Sequence, residues 1–140
     1  MKFFSICALA AFSLLIGGCG PSAPKPTATL TGKVTLGGTP VPAGTSILFM
    51  DPTTGNVAVG LVGDGGAFTA STNGTPGLFV GEYSVTAKGP DLVVDAEAAM
   101  QPGFKPPTDP IPAKYQSAQS SGEKVTIVDG PNTYNLDMTP

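Results

Sequence analysis

The stretch GEYSVTAK, residues 81–88, alternates polar and apolar side chains almost along its whole length. Successive side chains of an extended chain point to opposite faces, so Tyr83, Val85 and Ala87 would share one face. The opposite face would carry only polar and charged side chains. This alternation predicts a strand with one face in the core and the other in solvent.

Similar short runs recur on both sides of this strand, separated by turn residues. The chain contains 19 glycines and 15 prolines, and no helical period holds for long. Short strands with turn signals between them are typical of a sandwich or barrel. We therefore predict an all-β domain with seven strands, at residues 29–36, 45–51, 57–62, 67–71, 81–88, 124–129 and 132–138.

Some of these segments carry more specific predictions. Residues 47–50 are apolar on both faces, which indicates a central strand, and GDGG at 63–66 predicts a hairpin. Asp51 begins a turn and is placed to accept hydrogen bonds from its own backbone. Gly130-Pro131 predicts a closing hairpin between the last two strands. The core candidates of that hairpin are Val125, Ile127, Tyr134, Leu136 and Met138.

The charged residues exclude several classes of site. The chain has no histidine and no arginine, and its seven basic residues are all lysines. Without these residue types there is no Ser-His-Asp triad, no imidazole zinc site and no guanidinium clamp for phosphate. The net charge of −3 disfavours nucleic acid, since cationic contacts to phosphate dominate that affinity. No cofactor and no metal site are predicted.

Residues 1–18 have the order of a secretory signal peptide. Lys2 precedes an apolar run over 3–16, and two glycines follow it. A run of about 14 apolar residues is shorter than the roughly 20 that a membrane-spanning helix needs. We predict a helical signal peptide over 1–18.

The segment Ile16-Gly17-Gly18-Cys19 resembles the bacterial lipobox, in which cysteine is the residue after the cut. The resemblance implies that Cys19 receives a diacylglyceryl group and that the new amino terminus is acylated. Two or more acyl chains hold a protein firmly on a bilayer. Gly20 follows the cysteine, and by resemblance to enterobacterial sorting this favours the outer membrane over the inner one. The alternative is an ordinary signal peptide with an incidental cysteine.

Residues 19–28 predict a tether between this anchor and the domain. PSAPKPTA, residues 21–28, contains three prolines and no aliphatic side chain larger than alanine, so it cannot bury enough apolar surface to fold. Cys7 would leave with the signal peptide and Cys19 would carry lipid, which leaves no pair for a disulfide. The domain itself is predicted to span residues 29–140.

Three stretches of this domain resemble small bacterial lipoproteins with a carboxypeptidase regulatory-like, or transthyretin-like, domain. They are GKVTLGGTPVPAGTSILFMD, GEYSVTAKGP and IPAKYQSAQSSGEKVTIVDGPNTYNLDM. The matching positions are Gly32, Val34, Gly38, Pro40, Val41, Gly44, Phe49, Phe68, Gly81, Tyr83, Val85, Ile111, Pro112, Lys114, Tyr115, Ser121, Gly122, Gly130 and Asn132.

The resemblance covers nearly the whole mature domain and implies a seven-stranded, prealbumin-like Greek-key sandwich. The chain departs from the family pattern at Glu123, where an apolar residue is common, and in an extra glycine within residues 64–68. Domains of this family are mostly accessory, so the resemblance implies little about activity.

The regular spacing of strands breaks once, at a proline-rich loop over residues 89–122. Loops this long are usually functional or disordered. Residues 92–100 within it predict a short helix or a strand. Asp91, Asp95 and Glu97 could bind a cation or act as paired carboxylates, although a solvated acidic stretch is favoured.

Asp64 is a second candidate ligand, here for calcium. Calcium takes six to eight oxygens, and this neighbourhood offers one carboxylate, so a plain turn aspartate is favoured.

Two further clusters lie near the end of the loop. Lys114-Tyr115 could form a binding contact, but the family resemblance implies that Tyr115 packs the loop onto the sandwich. Ser117, Ser120 and Ser121 lie near Lys124 in sequence and could form a nucleophile pair with it. No further orienting group is visible, so this hypothesis is disfavoured.

We therefore expect a non-enzymatic, lipid-anchored protein of the cell envelope, reaching the membrane through Cys19. Its sandwich would be a structural or protein-binding module that acts through an edge strand or the long loop. The partner could be an envelope protein or a glycan. A carbohydrate-binding accessory module is the alternative, but the chain has no tryptophan and three tyrosines. An enzyme resembling the transthyretin-related hydroxyisourate hydrolases is disfavoured, because that chemistry depends on histidine and arginine.

Overall fold

The computed structural model describes residues 24–140. The signal peptide predicted over 1–18, the lipidated Cys19 and the part of the predicted tether before residue 24 lie outside the described residues. Between residues 24 and 140, no helix is both long enough and apolar enough to span a membrane.

The described chain is built mainly from strands, which confirms the predicted all-β class. The strands are β1 (Ala28–Leu36), β2 (Thr39–Pro40), β3 (Ser46–Met50), β4 (Val57–Val62), β5 (Ala67–Thr72), β6 (Thr75–Pro76), β7 (Gly81–Lys88), β8 (Lys124–Ile127), β9 (Gly130–Thr133) and β10 (Leu136–Met138). Three one-turn helices lie in the long loop: α1 (Ala96–Ala99), α2 (Ala118–Ser121) and, between them, a 3-10 helix at Ala113–Gln116.

Seven of the strands form one curled sheet in the order β10-β1-β5-β4-β3-β7-β8. The short strands β2 and β9 pair with β1, and β6 pairs with β5. As predicted, β3 is central, between β4 and β7, and a turn at Asp64–Gly66 joins β4 to β5 in a hairpin. Tyr83, Val85 and Ala87 of β7 are all buried, so the predicted alternation is also confirmed.

The predicted closing hairpin around Gly130-Pro131 is wrong. β8 pairs antiparallel with β7, whereas β9 and β10 pair parallel with β1 at the other end of the strand order. Only Val128 and Asp129 link β8 to β9. Three peptide units span at most about 11 Å, so the two edges of the sheet lie close together. The sheet therefore curls round, and the chain crosses from one edge to the other.

Asn132 holds this crossing in place. Its side-chain amide nitrogen donates to the carbonyl oxygens of Val128 at 2.8 Å and Gly130 at 3.0 Å. Its Oδ1 accepts from the Val128 N–H at 3.0 Å. The same nitrogen lies 3.2 Å from the carbonyl oxygen of Thr29 in β1. One side chain thus ties the end of β8 to the start of β9 and to β1.

The buried apolar side chains of the described residues form one cluster, which the curled sheet encloses. Phe49 of β3 packs against Phe68 of β5 and against Tyr134, with ring centres 5.8 and 6.3 Å apart. Aromatic pairs at these separations stabilise a core beyond their buried area. Among the predicted core candidates, Ile127, Leu136 and Met138 are buried, while Val125 and Tyr134 are half-buried against the cluster.

The last predicted strand is interrupted between β9 and β10. At the break, the Tyr134 N–H donates to the Thr31 carbonyl at 3.0 Å, and the Asn135 Oδ1 accepts from the Lys33 N–H at 3.0 Å. The Tyr134 carbonyl lies so close to Gly32 that a Cβ there would overlap it. Glycine is therefore required at position 32 by the close approach of a second backbone.

We expect Gly32→Ala to lower the free energy of unfolding by about 3 kcal/mol, because the added methyl group must displace the Tyr134 carbonyl. Urea denaturation followed by tyrosine fluorescence measures the loss. Gly63→Ala is the matched control, since the φ of Gly63 is −97° and an added Cβ would lie 3.8 Å from its nearest neighbour, the Ala67 carbonyl oxygen. Equal losses in the two variants would contradict the close approach.

Asp51 organises the turn between β3 and β4, as predicted. Its Oδ1 accepts from the N–H groups of Thr53 at 2.8 Å and Thr54 at 3.2 Å. Its Oδ2 accepts from the Thr54 hydroxyl at 2.7 Å. These bonds favour the ionised form, the Thr54 hydroxyl most of all, and they hold the pKa of Asp51 below its ordinary value of 3.8.

This lowered pKa makes the fold sensitive to acid. The contribution of Asp51 to stability is fully present above about pH 4 and is lost as the pH falls through the lower folded-state pKa. Asp51→Asn should therefore lose less stability than the parent protein between about pH 6 and about pH 2. The urea midpoint at the two pH values measures this. The Asp51→Asn variant should retain some acid sensitivity, because the Thr35 hydroxyl also lowers the pKa of Asp137. An unchanged pH dependence would refute the assignment to Asp51.

Candidate interaction surfaces

The acidic candidates of the long loop do not converge. Asp91 Oδ1 lies 3.0 Å from the Lys88 Nζ, and Asp95 Oδ1 accepts from the Glu97 N–H at 2.8 Å at the start of α1. Asp64 lies elsewhere, in the turn between β4 and β5. Across residues 24–140, no three histidine, cysteine, aspartate or glutamate side chains are grouped so as to hold a metal ion.

The serines near Lys124 have structural hydrogen bonds. Ser121 is buried and donates to a carbonyl of β7 at 2.7 Å. Ser120 donates to a carbonyl of its own loop at 2.7 Å, and Ser117 caps α2. The Lys124 Nζ lies 3.1 Å from a carboxylate oxygen of Glu82. The three serine hydroxyls and the Lys124 amine therefore all contact other groups, and no serine forms a nucleophile pair with Lys124.

Tyr115 packs the loop onto the β-sheet domain, as the family resemblance implies. Its side chain is 3% exposed. Its hydroxyl accepts from the Thr139 N–H at 3.0 Å and lies 3.2 Å from the Thr139 Oγ1, and these contacts lower its pKa. The Lys114 Nζ lies 5.0 Å from the ring centre. Because the ring is buried, Tyr115 is not available to stack on a sugar.

Glu123, where the chain departs from the family pattern, has a defined partner. Its Oε2 accepts from the Tyr134 hydroxyl at 3.1 Å. Burial of the phenol raises the pKa of Tyr134, and the nearby Glu123 carboxylate raises it further. The Glu123 carboxylate therefore provides a hydrogen-bond acceptor for the Tyr134 hydroxyl at the rim of the core. An apolar residue at position 123 would leave that hydroxyl without this acceptor.

Asp109 divides the long loop into two parts. Its Oδ1 accepts from the Ile111 N–H at 2.8 Å, and its Oδ2 accepts from the Gly89 N–H at 3.3 Å. Residues 109–122 are fastened to the domain by the buried side chains of Ile111 and Tyr115. Residues 90–108, which we call the arm, contain no buried residue. The sequence pattern predicted one loop and did not show this division.

The arm carries an unusual set of exposed apolar side chains. Val93 is 93% exposed and Met100 is 88% exposed, and Leu92 and Val94 are also exposed. Single exposed apolar residues are ordinary, but several on one segment are typical of an interaction site. The arm is therefore the first candidate surface.

A second apolar surface lies on the outer face of β3 and β4. In the register of these strands, Leu48 is opposite Val59, and Met50 is opposite Val57. Met50, Val57, Val59 and Leu61 are exposed. Cross-strand pairs of this kind stabilise the sheet itself, which gives this surface an explanation within the domain.

The strand directions place the base of the arm far from the start of β1. β1 and β9 are parallel, and the ladders β1–β5, β5–β4, β4–β3, β3–β7 and β7–β8 are antiparallel. The end of the domain where β1 begins, here called the near end, therefore also holds residues 51–56, 73–80 and 128–130. The opposite, far end holds the base of the arm, Gly89 and Asp109, since Lys88 pairs with Ser46 there and the Gly89 N–H donates to the Asp109 Oδ2. The nine residues of β1 separate the two ends by roughly 30 Å.

These features define a curled β-sheet domain with exposed apolar surfaces. No protein-family model, curated protein or solved structure matches the chain.

We expect the arm to be dispensable for folding. Replacing residues 92–107 by a short Gly-Ser linker should change the free energy of unfolding by less than about 1 kcal/mol, because none of these side chains is buried. The contrasting variant is Tyr115→Phe, which should lose about 1 kcal/mol with its hydrogen bonds to Thr139. Urea denaturation measures both, and a larger loss on arm replacement than on Tyr115→Phe would contradict the division at Asp109.

Proposed function

We propose that this protein is lipid-anchored in the bacterial cell envelope and that its sandwich is a non-enzymatic protein-binding module. One observation carries the proposal: β1 begins at the near end, and the exposed arm starts and ends at the far end, at Gly89 and Asp109. A domain attached through its near end displays the arm away from the membrane. This is the arrangement that a tethered binding module needs.

The anchor is supported by the lipobox-like sequence and by the path of the chain. Four residues, 20–23, separate Cys19 from Pro24. Residues 24–27 have no regular secondary structure, and β1 begins at Ala28. The anchor would therefore attach to the near end through a short, proline-rich segment.

A prealbumin-like Greek-key sandwich is supported by two features of the sheet. β3, β4 and β5 follow one another by hairpins, and β7 returns to lie beside β3, which is the strand arrangement of a Greek key. The Tyr83 hydroxyl donates to the Phe79 carbonyl, four residues upstream, at 3.0 Å. Greek-key sandwiches use the same device, known as a tyrosine corner. Together with the sequence motifs, these features support a carboxypeptidase regulatory-like domain.

A protein partner is favoured over a glycan. Sugar-binding surfaces usually present exposed aromatic rings, whereas Tyr83 and Tyr115 are buried and Tyr134 is half-buried. The arm instead presents aliphatic side chains beside three carboxylates, Asp91, Asp95 and Glu97. An apolar groove with a basic rim, on an envelope protein, has the complementary chemistry.

Two variants that differ in one cysteine test the anchor. We expect the native protein to lack residues 1–18 and to carry the mass of acyl chains at its amino terminus, and to sediment with membranes. Cys19→Ser should abolish the added mass and release the protein, because the sulfur that carries the lipid is gone. Cys7→Ser is the matched control and should behave like the parent. A native protein whose mass shows an unmodified Cys19 thiol and residues 1–18 still attached would contradict the proposal.

The binding role is tested in the same cells by photo-crosslinking. A photoreactive residue at Val93 should give a reproducible adduct with one envelope protein, identified by mass spectrometry. The same residue at Val59, an exposed valine of the sheet face, is the control. Adducts that are equal at the two positions, or none at Val93, would argue against a binding role for the arm.

A further inference from the structure

The near end of the domain exposes apolar side chains that nothing in the described structure covers. Val80 is 53% exposed and Val128 is 59% exposed. Gly81 pairs with Ile127 in the β7–β8 ladder, so these two valines are the next residue beyond that pair on each strand. Phe79, which is half-buried, precedes Val80. Val80 and Val128 thus lie side by side, and Phe79, which lines a cleft together with Pro24 and Pro26, belongs to the same end.

Charge is distributed unequally between the two ends. At the near end, Asp51 is buried and hydrogen-bonded within its turn, and Asp129 and Lys25 are exposed charges of opposite sign. Glu82, next to Gly81 in β7, is exposed and lies 3.1 Å from the Lys124 Nζ. The carboxylates at the far end are Asp64, Asp91, Asp95, Glu97, Asp109 and Asp137. Removing carboxylates from water is costly, so of the two ends the near one is suited to a low-dielectric surface.

The length of chain before the domain limits how far the near end can stand from an anchor at Cys19. Five peptide units join Cys19 to Pro24, and they span at most about 18 Å. A tether this short keeps the near end at a high effective concentration beside the lipid. An apolar contact that would be too weak to bind a membrane by itself is then sufficient to orient the domain.

We infer that the near end rests on the bilayer, with Phe79, Val80 and Val128 at the boundary between headgroups and acyl chains. The inference rests on the proposed anchor at Cys19. The lipid it requires is uncharged overall, such as a zwitterionic phospholipid, because this end presents no cluster of cations among the described residues. The domain then stands with β1 directed away from the membrane, and the arm is held roughly 30 Å above the surface.

The orientation is measurable on the native lipidated protein in phosphatidylcholine vesicles. A fluorescent coumarin amino acid replaces Thr53, an exposed residue of the near-end turn, or Gln101, an exposed residue of the arm. Quenching by a nitroxide on the lipid headgroup reports proximity to the membrane. We expect quenching at position 53 to exceed quenching at position 101 by at least about threefold, since the two sites lie at opposite ends of the domain.

A pair of matched double variants tests which side chains make the contact. Val80→Asn/Val128→Asn should bring quenching at position 53 down toward the value at position 101, because the apolar contact is lost while the anchor remains. Val59→Asn/Val93→Asn makes the same chemical change away from the near end and should leave the quenching unchanged. Urea midpoints of both variants establish that each is folded.

The outcomes separate this inference from the proposed function. A lipidated protein with equal quenching at positions 53 and 101, or with no response to Val80→Asn/Val128→Asn, overturns the inference and leaves the anchor intact. A protein without lipid on Cys19 overturns the proposed function. In that case the mature chain is coupled through the Cys19 thiol to a maleimide lipid, and the same quenching ratio decides whether the near end contacts the bilayer.

Discussion

The crossing of the chain from β8 to β9, held by Asn132, is the constraint on which the rest of the structure depends. Parallel neighbours need a long connection, and here the whole domain between β1 and β9 supplies it. Because Val128 and Asp129 alone separate β8 from β9, the sheet must curl until its edges meet. The curl brings Phe49 against Phe68 and Tyr134 and so encloses the core.

The same crossing defines the two ends of the molecule. Since β9 begins beside the start of β1, residues 128–130 and the segment leading to Ala28 must share one end. The antiparallel ladder from β1 to β7 then places Gly89, and with it the base of the arm, at the other end. The positions of Ala28 and of the base of the arm are therefore consequences of strand direction. They do not depend on the chemistry of the loops.

The sequence predicted the local features of this fold, the strands and their buried faces. It did not predict the pairing of β9 and β10, which depends on residues far apart in the chain. Alternation identified the strands and their buried faces, because a period of two residues is a property of the strand itself. Gly130-Pro131 has the composition of a hairpin turn whether the chain reverses or crosses to another edge, so the pairing of β9 and β10 was mispredicted. Asn132 reads as an ordinary strand residue, and its contact with Thr29 joins positions that no sequence pattern connects.

Among individual side chains, too, the sequence predicted contacts between residues close together in the chain and not contacts between distant ones. The predicted hydrogen bonding of Asp51 is confirmed because its partners lie two and three residues away. The role of Asp109 was not predicted, because one of its two partners is Gly89, twenty residues back. The burial of Tyr115 was expected from the family resemblance alone, since its partner Thr139 lies 24 residues further on.

The exposed apolar residues have different explanations in different places. On β3 and β4, each valine faces an apolar residue of the neighbouring strand, and such pairs contribute to the stability of the sheet. Val93 and Met100 have no such role, because the arm has no buried residue and no strand partner. Exposed apolar surface promotes association, so its presence on a segment that the fold does not use points to a contact outside the domain. Residues 109–122 show the contrast, because the buried side chains of Ile111 and Tyr115 fasten them to the domain, whereas the arm that precedes them has no buried residue.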